Sequence, residues 1–205
     1  MTADPPATVY VVDDDPSVCR SLERVLRSAG YSVRVFHSAP EFLADPRGQA
    51  PGCVILDILM PGMDGPTLQE SLQPEHRPLP VIFLSGYADV TTTVRVMKHG
   101  ATDLLQKPVE DATLLAAVEA AVSASRQLWG EQKADARLQE RLAVLTRRER
   151  EVMEKVMTGA LNKQIAYDLG IAEKTVKIHR GQVMHKLRVE SVAELVRLFG
   201  AKTGA

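Results

Sequence analysis

Cysteine is almost missing from this chain: 205 residues carry two, Cys19 and Cys53. Two isolated thiols exclude a disulfide framework and every spacing that holds zinc. Each lies in an apolar periodic segment and reads as a small core residue. Long hydrophobic runs are missing too, and none approaches the roughly 20 residues a membrane-spanning helix needs. The opening MTADPPATVYVV has neither a basic region nor an apolar leader. The expectation is a cytoplasmic protein without membrane contact. There is also little net charge, −1 at neutral pH. That balance conceals an asymmetry. Residues 1–125 hold 9 Lys/Arg against 16 Asp/Glu, and residues 126–205 hold 16 against 10. An acidic half followed by a basic half predicts two domains with different partners, the basic one suited to nucleic acid.

The acidic half alternates short apolar runs with amphipathic stretches. Strands are predicted at Val9–Val12, Ser32–Phe36, Cys53–Asp57, Val81–Leu84 and Asp103–Leu105. In the first helix Val18, Leu22, Val25, Leu26 and Ala29 recur at helical spacing. Asp15 can cap it, Pro16 fits its first turn and Gly30 stops it. Ser38 and Glu41 have capping-box spacing ahead of a second helix, and Gly100 ends a fourth. Five strands alternating with five helices predict an α/β fold, a doubly wound parallel sheet covered on both faces. Sites in such sheets form at the carboxyl ends of the strands. From Asp111 to Leu145 the sequence is helix-rich with one interior Gly130. Its polar stretch reads either as a solvated helical linker or as a partner helix in a dimer.

The stretch TVYVVDDDPSV places three aspartates at the mouth of an apolar strand. Strand three ends in Asp57. If strands one and three are neighbours, as in the order 2-1-3-4-5, Asp13, Asp14 and Asp57 converge. Carboxylates forced together raise one another's pKa, and a hard divalent cation such as Mg²⁺, which takes oxygen ligands, relieves the conflict. Ser85 ends strand four and Lys107 follows strand five at the same edge. A carboxylate nucleophile, a metal, a lysine and a hydroxyl around one point suit phosphoryl transfer.

VVDDD, LDILMPGMDG, FLSG and QKP resemble the receiver domain of bacterial two-component response regulators, over about residues 6–125. The resemblance implies that Asp57 is the phospho-acceptor, that Asp13, Asp14, Asp57 and the backbone carbonyl of Leu59 hold Mg²⁺ or its waters, and that Ser85 and Lys107 bind the phosphoryl group. It implies a cis Lys107–Pro108 bond. Asp15 is assigned to the helix cap. Two positions depart from the pattern. Leu104 stands where receivers usually carry the aromatic residue of their switch, and Val109 follows Lys-Pro where Phe is common.

The basic half has four short helices predicted and no strand signal. Thr146/Glu149 and Ser191/Glu194 are capping boxes. Asn162 can cap a helix that Gly170 breaks, and another follows from about Glu173 to Leu187, together a helix-turn-helix pattern. Residues 144–198 resemble the LuxR-type helix-turn-helix, through Leu145-Thr146, Arg148-Glu149, Asn162-Lys163, Leu169-Gly170-Ile171, Thr175-Val176-Lys177, His179 and Lys186-Leu187. With the receiver, the whole is similar to the NarL/FixJ group, FixJ branch. The second helix is basic and rich in hydrogen-bond donors, which suits a major groove. Its predicted DNA face is Lys174, Thr175, Lys177, His179, Arg180 and Lys186, with Asn162 and Lys163 at the DNA backbone. Ala172 occupies the cap position where many relatives have Ser.

The expected organisation is a receiver at 6–125, a helical linker at 126–143 and a DNA-binding domain at 144–205. The resemblance implies a transcription regulator switched by a sensor histidine kinase, with Mg²⁺ as cofactor. Its expected partners are the kinase, double-stranded DNA, a second copy on phosphorylation, and RNA polymerase. The receiver catalyses only its own phosphotransfer and slow dephosphorylation, so no turnover enzyme is expected. Two other readings stand beside this one: a constitutive DNA-binding protein whose receiver only dimerises it, and a metal-dependent phosphatase.

Overall fold

The computed structural model describes residues 7–46, 50–72, 79–86 and 90–200. Residue 6 and residues 201–205, at the outer limits of the expected domains, lie outside them. The chain forms two compact units, 1–131 and 132–205.

In the first unit the elements are β1 (Thr8–Val12), α1 (Pro16–Ser28), β2 (Ser32–Phe36), α2 (Ala39–Ala44), β3 (Gly52–Asp57), α3 (Gly65–Ser71), β4 (Val81–Ser85), α4 (Val90–Lys98) and β5 (Asp103–Gln106). The expected strands are all present, their bounds moved by no more than one residue. All pairings are parallel and the order is β2-β1-β3-β4-β5. Alternate residues serve alternate faces, as the two-residue period of a strand requires. Val9, Val11, Cys53, Ile55, Ile82 and Leu84 pack with Leu22 and Leu26 of α1 and with Leu114 and Val118. Tyr10, Val12, Val54, Leu56 and Phe83 pack on the other side with Phe42 of α2, Leu68 of α3 and Val96 of α4. Both cysteines are buried, as expected. Burial pushes the Cys53 thiol up to about 12, which leaves it a protonated core residue.

The helix starts follow from short polar caps. Asp15 accepts from the Ser17 amide at 2.7 Å, Ser38 from Glu41 at 3.3 Å and Asp64 from Thr67 at 2.8 Å. Asp15 is thus the cap of α1, and the Ser17 hydroxyl, donating at 2.7 Å, together with that amide holds its carboxyl below the usual range. Gly65, opening α3, has no room for a side chain. A Cβ there would sit 2.2 Å from the Asp57 carbonyl oxygen and 3.0 Å from Cε1 of Phe83.

The helix that starts after β5, α5, runs 33 residues from Asp111 to Ala143. Its first turns bury Leu114, Ala117, Val118, Ala121 and Val122 in the receiver-side core. The Ser125 hydroxyl accepts from the Gly52 amide at 3.0 Å in a buried position. From 126 to 137 every residue but Trp129 is exposed. Leu138 and Leu142, expected to lie in the linker, pack on the core of the second unit instead.

The second unit adds α6 (Arg147–Met157), α7 (Asn162–Leu169), α8 (Glu173–Lys186) and α9 (Val192–Phe199). Its core is built from Val152, Met153, Ile165, Val176, Val183, Leu187, Leu195 and Phe199. The capping box at Thr146/Glu149 is formed. Asn162, expected as a cap, is the first residue of α7, and Leu161 holds the cap position. The Asn162 side-chain oxygen is taken by Arg180 at 3.1 Å. Gly170 closes α7 in the left-handed region, φ 62°, and gives the tight turn into α8.

Candidate functional site

The register of the sheet gathers the acidic pocket. Val12 pairs with Leu56 across β1 and β3, so Asp13 and Asp57 leave adjacent strands side by side. Ser85 pairs with Gln106 across β4 and β5, so Lys107 is the next residue out. The Lys107 amide donates to the Ser85 carbonyl at 2.7 Å, and the Lys107–Pro108 bond is cis. Asp13, Asp57 and Ser85 are buried. The Lys107 ammonium lies between the two carboxylates, donating to Asp13 Oδ2 at 2.6 Å and to Asp57 Oδ1 at 2.5 Å. The Leu59 amide donates to Asp57 Oδ2 at 2.8 Å, and the Asp15 amide to Asp13 Oδ1 at 2.9 Å.

Desolvation dominates at Asp57 and raises its pKa above the usual carboxylate range, although the Lys107 hydrogen bond pulls the other way. At Lys107 burial alone lowers the pKa, but the hydrogen bonds to Asp13 and Asp57 together raise it. The triad is therefore two buried carboxyl groups bridged by one ammonium. Asp14 is exposed, and so is Leu59. The sequence placed Asp13, Asp14 and Asp57 around one metal ion. Among the described residues no three acidic, histidine or cysteine side chains meet in a metal-holding arrangement. Lys107 takes the central place, because its ammonium can reach both buried oxygens at once. One ammonium against two buried carboxylates still leaves a net negative charge before Asp14 is counted. The donors available are carboxylate and carbonyl oxygens, so the residues fit a hard divalent cation. Leu104 is half-buried against the core that holds Phe83. Residues 87–89, which follow Gly86 in the sequence, lie outside the described residues.

On α8, Val176, Val183 and Leu187 point into the core. Ile178 is two residues beyond Val176, roughly 160° around the helix from it, and it is 52% exposed. Lys174, Gly181, Gln182 and His185 share its outer face, with Lys177 at the edge, and all are exposed. Thr175, His179 and Arg180 are half-buried. His179 Nδ1 is buried without a hydrogen-bond partner among the described residues. Lys163 is exposed in the first turn of α7, and Asn162 is half-buried. Lys186, read from the sequence as a DNA contact, is placed differently. Its ammonium donates to Glu149 Oε2 at 2.7 Å, and the Glu149 side chain is 3% exposed. That pairing holds the Glu149 carboxyl below its ordinary range.

The family of the chain follows from its matches to known proteins. Residues 9–119 match the response regulator receiver domain, and residues 143–199 match the bacterial regulatory proteins of the luxR family. The chain belongs to the two-component response regulators. Nodulation protein W of Bradyrhizobium diazoefficiens is 44% identical to this regulator over 94% of the chain and 85% of the relative. Response regulator protein TodT of Pseudomonas putida is 39% identical, over 96% and 86%. Transcriptional regulatory protein FixJ of B. diazoefficiens is 40% identical over 93% of each. Among solved structures, the response regulator StyR is similar with a TM-score of 0.85 at 42% identity, covering 96% of this chain and all of that one. Full-length FixJ from B. japonicum gives 0.57 at 37%, over 97% of each. This regulator therefore joins a receiver to a LuxR-type DNA-binding domain and acts in transcription regulation. Among the described residues no helix is long and apolar enough to cross a membrane.

Sequence reasoning passed over Ile178 and Gln182, which the structure exposes on the outer face of α8. The signal for Ile178 was its phase: an isoleucine opposite the apolar stripe is a surface residue. The cap of α8 is weak, since Ala172 has no side chain to accept from the first turn. Ala172→Ser is expected to stabilise the second unit by about 0.5–2 kcal/mol, read as a raised midpoint in urea unfolding.

Proposed function

We propose that Asp57 of this regulator accepts a phosphoryl group from a sensor histidine kinase and that the modified receiver favours a dimer competent for DNA. The observation that supports this most directly is the buried Lys107 bridge between Asp13 and Asp57 at the carboxyl end of the sheet. In the transfer, a carboxylate oxygen of Asp57 forms the new bond to phosphorus. The bond from phosphorus to the kinase imidazole breaks, and the imidazole keeps that electron pair. We assign Lys107 and Ser85 to bind the phosphoryl oxygens. Asp13, Asp14, Asp57 and the Leu59 carbonyl are the groups that would hold Mg²⁺, which when bound neutralises charge on those oxygens.

The product carries about −1.5 to −2 charge where one carboxylate stood, and Lys107 is drawn toward it from Asp13. The face that would sense the change is α4, where Val90, Val94 and Met97 are exposed apolar residues at helical spacing. Such a stripe suits a second copy. Two linked DNA-binding units gain affinity through effective concentration, and the direction we assign is activation, with RNA polymerase as the further partner and the cytoplasm as the compartment. The receiver acts once per phosphoryl group received and is not a turnover enzyme on a free substrate.

Sedimentation of the full chain with Mg²⁺ and acetyl phosphate, beside Asp57→Asn, tests this. A monomer-to-dimer shift that the variant lacks is the expected result. Phosphorylated mass without a shift would remove dimerisation, and no uptake at all would favour a constitutive DNA-binding protein. On DNA, Lys174→Ala is expected to weaken matched and scrambled duplexes alike and to reduce the slope of log affinity against log salt by about one. An unchanged slope in anisotropy titrations would take Lys174 off the phosphate backbone.

A further inference from the structure

We infer that Arg141, on the last turns of α5, is a positioning residue for DNA recognition that fixes α8 from its C-terminal end. The inference rests on α8 being the helix that reads DNA. Arg141 is half-buried, and its guanidinium lies over the ring of buried Phe199, 5.2 Å from the centroid. Its Nη2 donates to the carbonyl of Leu187, the cap residue that closes α8. A terminal carbonyl of this kind has no partner within its own helix, and a fixed cation there complements the negative end of the helix dipole. Lys186 reaches in the opposite sense, to the Val144 carbonyl at 3.4 Å and to Glu149. Leu138 and Leu142 pack beside these contacts. The end of α8 is thus gripped by a segment that begins before the matched luxR region at residue 143.

The geometry gives the grip leverage. At the N-terminal end, Ala172 provides no side-chain cap. Lys174 stands about 20 Å along the helix from Leu187 at 1.5 Å per residue. A tilt of roughly 3° about the gripped end moves the first turn of α8 by about 1 Å, enough to spoil a base contact made from that face, whose hydrogen bonds tolerate only a few tenths of an ångström. Arginine suits this task better than lysine because one planar group both stacks on Phe199 and donates sideways to the carbonyl.

The test uses the full chain, with a duplex selected from a random library by the wild-type protein and a scrambled duplex of the same composition. Arg141→Met keeps the apolar stem and removes the charge and donors; Arg141→Lys keeps the charge. Anisotropy titrations across a salt series are expected to show Arg141→Met losing about tenfold in affinity for the selected duplex. Affinity for the scrambled duplex and the salt slope stay as in wild type, and Arg141→Lys recovers part of the loss. Equal losses on both duplexes would reduce Arg141 to a purely structural residue, and a salt slope lowered by about one would make it a direct phosphate contact; either overturns the inference. Circular dichroism melts establish that the helices are folded at the assay temperature. If Arg141→Met melts below it, Arg141→Lys decides, and undiminished preference for the selected duplex overturns the inference. A wild-type protein that selects no duplex would instead remove the reading of α8 itself.

Discussion

Gly65→Ala is expected to abolish phosphoryl uptake and to destabilise the receiver by about 3 kcal/mol, at the upper end of the usual cost of overpacking. The added methyl would stand 2.2 Å from the carbonyl oxygen of Asp57. Backbone atoms cannot yield as a flexible side chain can, so either α3 lifts from the sheet or the end of β3 is pushed aside. The Gly65 amide also donates to the Ile58 carbonyl at 3.0 Å, which ties α3 to the residue that follows Asp57. Displacing Asp57 by even half an ångström disturbs the 2.5 Å contact with Lys107 and the 2.8 Å contact with the Leu59 amide. Urea unfolding gives the stability and intact mass after acetyl phosphate gives the uptake. A variant that keeps both would show that the end of β3 is softer than its packing indicates.

Lys186→Met is expected to destabilise the second unit by about 2 kcal/mol. This is below the range for breaking a fully buried pair because the Lys186 side chain is 34% exposed and solvent screens it. The loss should depend on pH with a defined sign. Glu149 is a carboxylate whose folded pKa is held down, first by Lys186. Its contribution is complete above the unfolded carboxyl value, near 4.3, and is lost as pH falls through the lower folded value. The wild type and the variant should therefore differ most at neutral pH and converge in acid. Urea midpoints measured between pH 7 and pH 3 test this, and a constant difference across that range would assign the effect to packing of the lysine stem. Lys174→Ala is the contrast: it removes an exposed charge and should leave the midpoint unmoved.

These two residues show what the sequence could and could not reveal. The acidic pocket was legible because parallel strands in a fixed order carry their end residues to one edge, so Asp13, Asp57, Ser85 and Lys107 could be placed together from the sequence. That Lys107 bridges the two carboxyl groups was not legible, since reach is a property of side-chain geometry. On α8 the core face of Val176, Val183 and Leu187 was readable from its period. The same period, carried around the helix, exposes Ile178. Lys186 was misplaced because it is basic and lies in a basic helix, while its partner Glu149 is on α6, far back in the chain. Glu149 itself was seen only as half of a capping box and as one position of the LuxR-type pattern. The end of α5 looked like polar linker because Leu138 and Leu142 are sparse among charges, and only the packed core shows that they belong to it.

The shared ownership of α5 bears on how such chains can be recombined. The helix gives Ser125 to the receiver's sheet through the Gly52 amide and gives Leu138 and Leu142 to the second core. A gene fusion that exchanges receivers therefore has a window of helix, residues 126–137 and solvent-facing but for Trp129, in which both donors keep their core residues. A junction placed at residue 143, where the luxR match starts, would graft a foreign helix end beneath Phe199 and Leu187. Chimeras cut inside the window should express as soluble, cooperatively melting proteins, and those cut at the apparent domain border should not.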